Sequence, residues 1–89
     1  MLKMTINDVH NANREIITQE ALMKGFKYDD NNLDTFDGWE EKGYYPRRGQ
    51  KAYIRTHLWT KGKNRRKILE YLFRYDQVEK IGRDMLISV

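Results

Sequence analysis

Residues 43–59 read GYYPRRGQKAYIRTHLW, a run in which aromatic and cationic side chains alternate and no acid intervenes. Two kinds of chemistry use that mixture. Guanidinium and ammonium groups pair with phosphate oxygens, and the planar guanidinium does so with two parallel hydrogen bonds. Aromatic rings stack on unpaired bases whatever the base, because every base has a π-face. The surrounding charge is strongly segregated. From 28 to 41 the charged residues are Asp29, Asp30, Asp34, Asp37, Glu40 and Glu41, all acids; from 42 to 67 ten bases follow without an acid, within a net charge of +4. Segregation of this kind marks a polarised surface rather than an evenly solvated one.

Other chemistries find little support. His10 and His57 are the only histidines and cysteine is absent. No ligand spacing results, so no metal and no cofactor is expected. No nucleophile–base pair or glycine-rich phosphate loop is evident. Asp29-Asp30 and Glu40-Glu41 are adjacent in sequence, so they do not converge on one substrate. The chain reads as a non-enzyme with no small-molecule substrate. No apolar run approaches the ~20 residues of a membrane span, and the N-terminus MLKMTINDVH lacks the pattern of a secretory signal. A cytoplasmic location without a membrane partner is the expectation, and the lack of cysteine fits a reducing compartment.

The elements that must position the cations follow from local signals. Thr5 and Asp8 make a capping box for a helix from about Ile6 to Lys24, with Gly25 as its stop. Its apolar stripe (Ile6, Val9, Ile16, Ile17, Met23) is interrupted by Asn13 and Glu20. YDDNNLD (28–34) reads as a loop. Thr35 caps a short helix, FDGWEEK, ended by Gly43, in which Phe36 and Trp39 share a face and anchor it to the core. Pro46-Arg47-Arg48-Gly49 is a turn signature. Residues 50–59 then alternate, with Ala52, Ile54, Thr56 and Leu58 on one face and Tyr53, Arg55, His57 and Trp59 on the other. A polar loop (60–65) leads to a second strand from Lys67 to Tyr75, whose apolar face is Leu69, Tyr71, Phe73 and Tyr75. Asp76 and Glu79 predict a capped short helix, QVEKI, and Met85–Val89 a final edge strand. The result is one α+β domain, a long N-terminal helix and short helices packed on a small antiparallel β-sheet. Which sheet face the long helix covers stays open, and with it whether Tyr53 and Trp59 belong to the core or the surface.

The run T-F-D-G-W-E-E-K-G-Y-Y-P-R-R-G-Q-K-A (35–52) resembles the signature of the N-terminal domain of ArdC-type antirestriction proteins. The elements are a Thr, a Trp four residues on, a Gly-aromatic pair, a basic turn ending in Gly, and Lys-Ala. The likeness continues through Leu58-Trp59-Thr60-Lys61, Phe73 and Asp76-Gln77-Val78-Glu79-Lys80, and covers roughly residues 20–82. It implies a single-stranded-DNA-binding module from a phage or mobile element, expected in a host bacterial cell. Full-length relatives also carry a metallopeptidase-like domain with an HExxH motif. That motif is missing here, so no catalysis is implied.

The expected function is binding of nucleic acid, preferentially single-stranded DNA, in an antirestriction or other anti-defence setting. Arg47, Arg48, Lys51, Arg55, His57, Lys61, Lys63, Arg65, Arg66 and Lys67 are the candidate backbone contacts. Tyr53 is the leading candidate for stacking, followed by Tyr45 and Trp59. The alternative is an anti-CRISPR or other nuclease-inhibiting protein that binds a host defence complex, with the basic stretch meeting guide RNA or acidic protein surface.

Overall fold

A computed structural model of the chain describes residues 4–82. Helix α1 (Ile6–Met23) opens on the expected reciprocal cap. The Thr5 hydroxyl accepts from the Asp8 amide at 3.1 Å, and the Asp8 carboxylate accepts from the Thr5 amide at 2.9 Å. At its far end the Gly25 and Phe26 amides donate to the Leu22 and Ala21 carbonyls and turn the chain away. Then come β1 (Leu33–Thr35), α2 (Phe36–Glu41), β2 (Tyr44–Pro46), β3 (Ile54–Trp59), β4 (Lys67–Arg74), a 3-10 turn (Tyr75–Gln77) and β5 (Val78–Lys80). The strands form a three-stranded antiparallel sheet in the order β1-β4-β3 and a separate ribbon of β2 with β5. This is the α+β architecture that the sequence predicts.

The buried residues of α1 are Val9, Ile17 and Ala21. With Asn13 they form a single i, i+4 row, the stripe that faces the sheet. Ile17 and Ala21 pack with Leu33, Ile54, Leu58 and Leu72. Cross-strand pairing sets Ile54 opposite Leu72 and Leu58 opposite Ile68, so α1 covers the face that carries Ile54, Thr56 and Leu58. Asn13 is therefore no flaw in the stripe. Its side-chain oxygen accepts from the Trp59 amide at 2.8 Å, and its Nδ2 donates to the Trp59 carbonyl at 3.0 Å. Those two bonds satisfy backbone groups that the edge strand β3 would otherwise leave open.

Several expectations need correction. Residues 33–35 are a strand, not the end of a loop, and Leu33 is 1% exposed. Three residues with one apolar side chain carry no readable period. QVEKI is not a helix: Val78–Lys80 pairs with Tyr44–Pro46, and the Gln77 side chain accepts from the Arg74 amide where a cap by Asp76 was expected. Five residues cannot offset helix nucleation when a strand partner is available. Trp39 anchors α2, with its Nε1 donating to the Phe73 carbonyl at 2.8 Å, but Phe36 is 47% exposed. Gly38 lies against the Asp34 carboxylate, and a Cβ there would have to displace that side chain. Met85–Val89, expected as an edge strand, lies outside the described residues.

The double bond from Asn13 gives a direct stability test. Asn13→Ala leaves both Trp59 backbone groups without their partner and should cost about 1–3 kcal/mol in chemical denaturation. Asn13→Asp keeps the acceptor but sets a second oxygen against the Trp59 carbonyl, so it should recover little. Wild-type stability in both variants would show that α1 is held by apolar packing alone.

Candidate nucleic-acid interface

The face of the sheet turned away from α1 is open. The Thr60 amide donates to the Arg66 carbonyl, so even-numbered residues of β3 direct their backbone groups at β4. The odd-numbered pairs Arg55–Tyr71, His57–Leu69 and Trp59–Lys67 are thus the non-hydrogen-bonded ones, in which opposite side chains lie closest. Arg55, His57 and Lys67 are exposed. Beside them Leu69 is 46% and Tyr71 47% exposed. The Lys67 ammonium stands 5.4 Å from the centre of the half-buried Trp59 ring. The result is an exposed patch on which Arg55, His57 and Lys67 stand beside Tyr71, Leu69 and Trp59. Tyr71 and Leu69 were not among the sequence candidates. Their alternation marked them as the apolar side of β4, but only the register shows that this side faces out, next to Arg55 and His57.

The remaining bases lie at the two ends of β3, separated by about 20 Å for a six-residue strand. At one end Gln50 closes a turn on the Arg47 carbonyl, with Gly49 at φ +87° supplying the left-handed step. Pro46 belongs to β2, outside this turn. Arg48 and Lys51 are exposed. Arg47 differs, because its guanidinium donates to the Asp76 carbonyl and its amide to the Gln77 carbonyl, docking the turn on the 3-10 segment. At the other end lies the loop 60–66, with Lys61, Lys63 and Arg66 exposed. Arg65 turns inward and donates to the Lys61, Gly62 and Met4 carbonyls. It shapes the loop and holds it to the start of the chain.

Two aromatic candidates fall outside the patch. Tyr53 does not share a face with Arg55. Its amide donates to the Leu72 carbonyl, although Leu72 already pairs with Ile54, and this bulge-like slip turns Tyr53 toward the core side. There its ring meets Phe26 edge-on at 5.6 Å, with Arg74 4.9 Å and Lys24 5.0 Å from its centre. Tyr45 sits in the ribbon, opposite Glu79.

On the α1 side, the helix leans over β3 and leaves a groove above β4 of about 590 Å³. Leu58, Ile68 and Ile17 form its apolar part, and Tyr28, Asp37 and Glu70 line it as well. Much of the acidic segment gathers here. Asp30 pairs with Arg14, and Asp34 pairs with Lys42 at 2.9 Å. Asp37 and Glu70 have no ion-pair partner among the described residues. Burial, and then the charge of Asp37, push the Glu70 carboxyl above the usual carboxylate range. Burial and the neighbouring Asp30 raise the Tyr28 hydroxyl to about 12. No grouping of histidines and carboxylates among the described residues could hold a metal ion, and no described helix is long and apolar enough to cross a membrane.

Comparison with protein-family models, with curated proteins and with solved structures finds no match to this chain.

The groove carboxylate gives a pH test. A carboxyl whose folded pKa is raised binds its proton more tightly in the folded chain, so its ionisation weakens folding as pH rises through that value. Glu70→Gln should therefore raise the melting temperature at pH 7, and the gain should vanish near pH 3, where the wild-type carboxyl is protonated in both states. A loss of stability at pH 7 would mean that the Glu70 charge is compensated by a partner.

Proposed function

We propose that this chain is a non-enzymatic binding module for single-stranded nucleic acid, DNA in the first instance, and that the open face of its sheet is the binding surface. The observation that carries this reading is the register that sets Arg55 beside Tyr71, His57 beside Leu69 and Lys67 beside Trp59. Bases stack on Tyr71, and on Trp59 where its ring is free, while Arg55, His57 and Lys67 follow the backbone. Arg48 and Lys51 extend the track at one end, and Lys61, Lys63 and Arg66 at the other. A duplex keeps its bases inside, so a surface that stacks bases favours unpaired strands. The likeness of residues 35–52 and 76–80 to the ArdC-type N-terminal domain supports the same ligand class. It also supports an anti-defence role in a phage or mobile element, acting in the host cytoplasm.

Anisotropy of labelled single-stranded and duplex oligonucleotides across a salt series tests this. Single strands should bind more tightly, with log K falling against log salt by about 0.7 for each phosphate neutralised. Tyr71→Ala removes a stacking surface worth about 1–3 kcal/mol, a loss of roughly 5- to 150-fold. Arg48→Ala should weaken binding and flatten the salt slope with no change in melting temperature. Arg47→Ala should instead lower stability by about 0.5–1.5 kcal/mol, the net worth of its hydrogen bond. Binding no tighter than millimolar near physiological salt would overturn the reading. The chain would then be sought as a nuclease inhibitor, by capture of a host defence complex.

A further inference from the structure

The sheet face can hold a backbone and stack rings, but stacking does not tell one base from another. The groove on the other side of β4 has the chemistry to do so. Its volume of about 590 Å³ lies in the range of small-ligand pockets and exceeds what one nucleobase fills. Ile68, which lines it, is still 38% exposed, because nothing covers it. Leu58, Ile17 and Tyr28 complete a lining suited to a flat ring. Asp37 and Glu70 add hydrogen-bond acceptors that no cation occupies among the described residues. Lys61, the first base of the loop 60–66, also lines the groove, so the groove is continuous with the cations assigned to phosphates. The same carboxylates that repel a phosphate accept from an exocyclic amino group.

We propose that the groove takes one base splayed out of the bound strand and selects a base carrying an exocyclic amino group over thymine. This rests on the single-strand reading above. A cytosine offers its N4 amino group to Asp37 or Glu70. Thymine sets a carbonyl oxygen at the same position, against a carboxylate, and is rejected.

The test is anisotropy of labelled oligo-dC against oligo-dT at pH 7 and constant salt, with wild-type protein, Asp37→Ala/Glu70→Ala and Tyr71→Ala. Wild-type protein should favour oligo-dC by about 5- to 150-fold, the range for one good base-edge contact. The double variant should lose that preference while keeping its affinity for oligo-dT, which also shows that it is folded. Tyr71→Ala should weaken both ligands and preserve their ratio. Equal wild-type binding of the two oligonucleotides overturns the groove proposal and leaves the sheet-face reading standing. A preference that survives in the double variant also overturns it. Absence of binding to either strand overturns both readings. Free deoxycytidine that competes as well as an unlabelled strand would make the groove a nucleoside site, and would overturn its assignment to a strand.

Discussion

The row Val9, Asn13, Ile17 and Ala21 meets the sheet from one side only, and most of the structure follows from that. One helix covers one face of β3 and β4. Leu33, Ile54, Leu58 and Leu72 make up the sheet's share of the core under it, each worth about 1.5–3 kcal/mol when fully buried. The chain is 39% hydrophobic and supplies no second long helix in its described part. The other face therefore remains in water, and its side chains are free to serve as a surface. Asn13 adds direction to a contact that apolar packing alone leaves free to slide. Its two bonds to Trp59 fix the axial position of α1 against the edge strand.

The arginines show how position within that frame separates structural from available charge. Arg47, Arg65 and Arg74 are engaged with carbonyls, a carboxylate or aromatic rings inside the fold. Arg74 lies 4.7 Å from the Phe26 ring centre and 4.9 Å from that of Tyr53, a setting in which cation–π attraction is strengthened by desolvation. Arg48, Arg55 and Arg66 are exposed, and no acid lies within ion-pairing distance among the described residues. The run of ten bases is thus two populations. One, joined by Arg74 from beyond the run, builds the turn, the loop and the corner at Tyr53, and the other is displayed by them.

Much of this frame is legible in the sequence, because its signals are local. The Thr5–Asp8 box, the Thr35 cap, the alternation of 54–59 and the glycine at 49 each act within a few residues. The three-residue strands β1 and β5 have no such signal; they are strands only because β4 and β2 supply partners. The slip at Tyr53 is equally hidden, since it concerns which amide reaches the Leu72 carbonyl. For the site, residue type identified the displayed cations, and alternation placed Arg55 and His57 on one side. It could not place Tyr71 beside Arg55, because that is a matter of register. Nor could it separate Arg47 from Arg48, or Arg65 from Arg66, because the carbonyls that decide the matter include Asp76 and Met4, distant in the chain.

Part of the charge segregation in the sequence persists in the fold, with Asp37 and Glu70 lining the groove and Arg55, His57 and Lys67 on the opposite face of the sheet. The acids of the groove are only partly neutralised, since Arg14–Asp30 and Lys42–Asp34 are ion pairs with substantial solvent exposure, and such pairs are worth about 0–1 kcal/mol. Across the sheet stand Arg55, His57 and Lys67. At physiological salt the screening length is about 8 Å, so an approaching polyanion feels chiefly the side it is near. If the chain binds a single strand as proposed, this field would orient that strand before any contact forms. On the proposed function, it would turn the phosphates of a bound strand toward the open face and the basic loop, leaving an uncharged part of the ligand to enter beside Asp37 and Glu70.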